Sequence, residues 1–233
     1  MIKATPRPTE IILPILIASL GAASMSVTAW ALNNDMMPMW TISPHKVVNL
    51  TFTMQMIVLG ISFVALGLTY LNNKEGFRVF FHFMPRIKSD WHLYGPLIAV
   101  GLTFGTALMM SFSVASQHGV INQEFFKLFP LVLLFAAINA WSEEMFTRFA
   151  IVAGLGDKLQ PLTICWISAL IFGVPHYFGT PSGVFGVIAA GFLGWLMAKS
   201  VIETRSMGWA WFIHFLQDVV IFGAGAMILA GNN

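Results

Sequence analysis

Six ionisable residues stand inside apolar stretches of this 233-residue chain: Glu143, Glu144, Arg148, His176, His214 and Asp218. Three of them fall in Trp141-Ser-Glu-Glu-Met-Phe-Thr-Arg148, within a run from Phe125 to Gly154 that is largely apolar after Lys127 near its start. A charge at membrane depth costs about 2.5 to 3.5 kcal/mol even on a lenient insertion scale, so a chain keeps one there for a use. Carboxylates and imidazoles in a dry interior suit one use in particular, moving protons to and from water or a substrate.

Spacing divides the labour among them. Glu144 and Arg148 are i, i+4 neighbours in the favourable acid-first order, so they can pair along one helix face. Glu143 lies about 100° further round the helix, away from that cation. A carboxylate turned from that cation suits a general base acting on water. His214 and Asp218 share the i, i+4 spacing, so the carboxylate can hold one ring nitrogen and set the tautomer of the other. Together Glu143, His176, His214 and Asp218 would also satisfy a zinc ion with an open water position, so metal-dependent and metal-free chemistry both stand at this level. Each residue has a plainer reading too. An ion pair such as Glu144 with Arg148 can serve packing alone, a single histidine such as His176 can be merely hydrogen-bonded, and Ser142 and Thr147 are expected to bond back to their helix. Six costly placements on three helices outweigh those readings, because they share an interior.

The elements that carry them are membrane spans. At 57% hydrophobic and 9% charged residues, with a mean hydropathy of +0.77, the chain lies far from the ~25% charged residues of soluble domains. The long apolar runs fit an all-α polytopic bundle rather than the weak alternation of a barrel. Seven spans are predicted: 11–32, 47–71, 93–116, 125–153, 162–178, 184–198 and 209–230. The first is too long for a signal peptide's apolar core and is expected to stay uncleaved. Between spans two and three, Phe77, Phe80, Phe81 and Met84 recur at helical spacing opposite Arg78, His82 and Arg86, which predicts a short interfacial helix. Glycines 186, 191 and 194 predict a close neighbour for span six.

With the N-terminus cytoplasmic, that side receives Lys3, Arg7, Lys74, Arg78, Arg86, Lys88, Lys158, Lys199 and Arg205, and the other only Lys46 and Lys127. That asymmetry predicts a multi-pass protein of a cell membrane, with the C-terminus on the opposite side. The single cysteine, Cys165, excludes a disulfide framework within the chain. A single integral membrane domain spanning residues 1–233 is expected, with a functional core at about 125–220 and peripheral spans over 11–116. Its partner is the lipid bilayer, not nucleic acid.

Glu143-Glu144-x-x-x-Arg148, Phe172-x-x-x-His176 and His214-x-x-x-Asp218 together resemble the motifs of the CPBP family, the CAAX-protease and bacteriocin-processing (Abi-like) intramembrane proteases, in order and in spacing. The resemblance covers roughly residues 131–220. It implies an intramembrane endopeptidase, glutamate-type or metal-dependent, acting on a membrane-associated protein or peptide, with the bacterial inner membrane as its expected place. It further implies that Glu143 and His176 activate water, that His214 and Asp218 stabilise the oxyanion or help hold the water, and that Glu144 and Arg148 support the geometry. Two positions depart from the pattern. Thr147, Arg148 and Phe149 stand where members often have Phe-Arg-Gly, and Asp218 stands where many have asparagine, although an ionised carboxylate cannot donate a hydrogen bond. Asp218 must then orient His214, be protonated or bind a metal.

Depth sets a difficulty. If every span crosses the full bilayer, Glu143 falls toward the cytoplasmic side of span four and His176 toward the opposite end of span five. The 29 residues of 125–153 exceed the ~20 a span needs, so this helix is expected to protrude or tilt, with the site in the cytoplasmic half. Two other classes also place Glu, His and Asp in a membrane: a proton- or cation-coupled transporter, for which no inverted repeat or matched broken helices are visible, and a non-catalytic membrane scaffold.

Overall fold

The computed structural model describes residues 7–232; Lys3, one of the basic residues counted above, lies outside them. The helices in chain order are α1 (Pro8–Asn33), α2 (Lys46–Asn72), α3 (Lys74–Phe80), α4 (Trp91–Ser116), α5 (Gln123–Glu144), a π-helical turn (Met145–Phe149), α6 (Ala150–Leu155), α7 (Pro161–Gly173), a 3-10 turn (Val174–Phe178), α8 (Gly183–Thr204) and α9 (Gly208–Gly231). Among the described residues, seven stretches are long and apolar enough to cross a membrane, α5 through α6 counting as one of 33 residues and α7 with its 3-10 turn as one of 18. No strand occurs among the described residues. The chain is all-α and polytopic, as its composition requires.

It separates into two compact units. One comprises the described residues up to Ser89 together with Ser142–Ala210, and the other Asp90–Trp141 with the described residues from Trp211 onward. In the first unit α1 packs on α2, and both meet the π turn and α6. The core there is Ile17, Val58, Ala65, Phe146 and Ala150. Gly21 makes room for it, since a Cβ at that position would stand 2.3 Å from the Phe146 ring. Helices α7 and α8 approach as closely as the glycines predict: a Cβ on Gly173 would lie 2.9 Å from the Cα of Gly191.

Two boundaries differ from the sequence reading. The sixth span continues from Ala198 to Thr204, because Lys199 and Glu203 pair along its last turn and keep it helical. The interfacial helix is only seven residues long, capped by the Asn73 side chain, which accepts from Gly76 N at 2.9 Å. Its aromatic face turns inward: Phe77 and Phe81 set their rings edge-on to buried Phe149, at 5.0 and 5.3 Å between centroids. Beyond it the backbone leaves the helix to bond the α8–α9 turn, Arg86 N to Thr204 O at 2.9 Å and Met207 N to His82 O at 2.6 Å. Met84 is left 80% exposed.

In the second unit, α4 is tied to α9 by side chains. Gln217 donates to Thr103 Oγ1 at 3.2 Å and accepts from Thr106 Oγ1 at 2.5 Å. Asn122 donates to Ala230 O at 3.1 Å, and Phe135 packs on Phe222.

Candidate active site

Helix α5 ends on the two glutamates, and the chain then widens into one π turn closed by Ala150 N–H to Met145 O. Single π turns of this kind recur at functional sites because they re-aim side chains within one helix. Here the turn carries Arg148, whose side chain is fully buried and 3.1 Å from Glu144 Oε1, itself fully buried. Thr147 Oγ1 accepts from Arg148 Nη1 at 2.5 Å and donates to Glu143 O at 2.7 Å. That hydroxyl bonds back as expected; Ser142, expected to do the same, has its buried Oγ without a hydrogen-bond partner among the described residues. Glu143 is half-buried whereas Glu144 is buried, so the one-residue offset read from the sequence separates the two carboxylates.

The second motif meets the first through Phe172. The Arg148 guanidinium carbon sits 3.8 Å from the centroid of the Phe172 ring, a desolvated cation–π contact. That ring in turn faces His176 at 4.6 Å. His176 is carried by the 3-10 turn, and its Nδ1 lies 2.8 Å from Phe172 O. A carbonyl only accepts, so Nδ1 carries the hydrogen, and in the neutral ring Nε2 keeps the lone pair. Phe172 is itself fixed by the tight α7–α8 contact, where a Cβ on Gly194 would stand 3.2 Å from Phe172 Cβ.

These contacts remove the depth difficulty. Ser168 Oγ donates to Thr147 O at 2.8 Å, and Arg148 covers Phe172, so the end of span four and span five run antiparallel from the short 156–160 connection. One turn back from Arg148 reaches Glu144 and Glu143; one turn forward from Phe172 reaches His176. Both steps point the same way, which sets the glutamates and His176 at a common level. The mismatch came from measuring each span against a full bilayer instead of from the connection they share.

The third motif lies in the second unit. His214 and Asp218 are 4% and 5% exposed, with His214 Nε2 3.5 Å from Asp218 Oδ2. That oxygen also accepts a hydrogen bond at 3.1 Å from Nδ2 of buried Asn139. Asn139 and Gln217 are neutral amides, which a pattern of ionisable residues does not single out. A buried amide at membrane depth is also a costly placement, and that signal was present.

A catalytic zinc needs three protein ligands. Among the described residues neither unit gathers three His, Cys, Asp or Glu side chains into such a group. Glu143 and His176 belong to one unit, and His214 and Asp218 to the other, where Asp218 is already engaged by Asn139. Among the described residues the donor set of a zinc site is therefore not assembled within either unit.

Residues 125–220 match the family model described as Rce1-like, type II CAAX prenyl endopeptidase. Every motif residue falls inside the matched segment, and the CPBP resemblance is borne out there. No curated protein and no solved structure matches the chain.

Proposed function

We propose that this multi-pass membrane protein, which carries an Rce1-like CAAX protease domain at residues 125–220, is an intramembrane endopeptidase that uses Glu143 and His176 to activate water. The observation that supports the reading is the contact sequence from Glu144 through Arg148 and Phe172 to His176, in the unit that also holds half-buried Glu143. In the first step Glu143 takes a proton from water as the oxygen attacks the peptide carbonyl. The C–N bond then breaks as that proton is returned to the leaving amine, by way of Glu143 and His176. Water is thus divided between the new carboxyl and the new amine. His214, oriented by Asp218, helps hold the water, its lone-pair nitrogen accepting a hydrogen bond from it. Glu144 and Arg148 hold the geometry and do not touch the substrate.

The substrate class is a membrane-associated protein or peptide, a prenylated tail being the one the family's name suggests. The distribution of basic residues supports a cell membrane, in bacteria the inner one, with the N-terminus cytoplasmic. The test is Glu143→Gln, which keeps shape and removes the base. Peptide termini are compared in membranes expressing each form. Product termini specific to the wild type should fall by about 10²- to 10⁴-fold in the variant, the usual contribution of a general base. Unimpaired processing would overturn the reading. Ion flux in liposomes lost in the same variant, without any proteolysis, would favour a transporter.

A further inference from the structure

We propose that Asn139 is a positioning residue for the third motif, holding the Asp218 carboxylate and through it the ring of His214. This rests on the endopeptidase reading above and adds a residue to it.

The case begins with Asp218. It is 5% exposed, in a helix apolar enough to cross a membrane, where an ionised carboxylate requires donors. Within its own unit Asp218 receives Nδ2–H of Asn139 on Oδ2 at 3.1 Å. The same oxygen faces His214 Nε2 at 3.5 Å. A carboxylate accepts but does not donate, so the ring nitrogen turned to it carries the hydrogen and Nδ1 keeps the lone pair. The Asn139 amide sets which way the carboxylate plane turns, and hence where the ring edge points.

Asn139 is not filling space. It is 7% exposed on a helix whose preceding buried positions, Val132, Phe135 and Ala136, are apolar, and buried amides are as a rule hydrogen-bonded. Placed four residues before Glu143 in sequence, it puts part of the third motif's support on the helix that also carries the first motif.

The test uses the full-length protein in lipid nanodiscs. Asn139→Ala is expected to lower kcat about ten- to a hundredfold with KM little changed, the size of effect seen when an orienting partner is lost. In an Asp218→Ala background the same substitution should cost nothing further in kcat, because its path runs through the carboxylate. Effects that multiply in the double variant, or an Asn139→Ala protein with wild-type kcat, would overturn the proposal. A second measurement keeps it separate from the protease reading: the ring-nitrogen shifts of His214 should change in Asn139→Ala and stay unchanged in Glu143→Gln. If Glu143→Gln still cleaves, the endopeptidase mechanism falls, and Asn139 is judged on those shifts alone; unchanged shifts in Asn139→Ala would refute it.

Discussion

Replacing Glu144 by leucine strands the Arg148 guanidinium in a place where neither side chain has any solvent exposure. Breaking a buried pair from one side costs about 3 to 5 kcal/mol, because the remaining charge is uncompensated. Removing both charges, as Glu144→Leu with Arg148→Met, takes away that penalty, and substitutions of this kind are neutral or stabilising by about 1 to 4 kcal/mol. Stability should therefore fall in the single variant and recover in the double. Activity should not recover. Arg148 also lies 3.8 Å from the Phe172 ring, a desolvated cation–π contact of about 2 kcal/mol, and Phe172 holds His176 by ring and carbonyl. If that contact is spent on orienting His176, its loss lowers kcat up to about 30-fold, at 1.36 kcal/mol per tenfold. Thermal unfolding in nanodiscs, with cleavage of a peptide chosen from the mapped termini, reads both quantities on one preparation. A double variant as active as wild type would refute the assignment of Arg148 to His176. A double variant as unstable as the single one would refute the account of the buried pair.

Two further outcomes test the frame and the chemistry. Gly173→Ala would put a methyl 2.8 Å from Val187 O and 2.9 Å from Gly191 Cα, both backbone, so α7 and α8 must separate and cleavage and thermal midpoint should fall together; Gly60→Ala, within α2 and with nothing inside 4 Å, should lower neither. Elemental analysis of the purified protein should find no stoichiometric zinc, and cleavage should survive a chelator; a stoichiometric metal whose removal abolishes cleavage would overturn the glutamate-type reading.

Local rules carried the sequence reading furthest. The pairing of Glu144 with Arg148 needs only the helical period, and the structure places it at 3.1 Å. Span number and helix class follow from apolar length, and both hold. What escaped depends on how elements meet. The common level of Glu143 and His176 follows from a 33-residue span, a π turn and a short antiparallel connection, none of which has a simple residue signature. Periodicity says that one face of α3 is apolar without saying what covers it; Phe149 covers Phe77 here. Asn139 was passed over because a neutral amide does not stand out in a search for charge, although its burial is as demanding.

The π turn at Met145–Phe149 amounts to one surplus residue within an otherwise regular helix. Each residue of an α-helix advances the direction of its side chain by about 100°, so everything after the turn is out of phase by that angle with everything before it. Gln123–Glu144 and Ala150–Leu155 thus obey two separate hydrophobic phases within a single span. An alignment of this chain with a relative lacking the turn would need a one-residue gap there. A gap-free alignment could match either the glutamates or the Ala150–Leu155 segment, but not both.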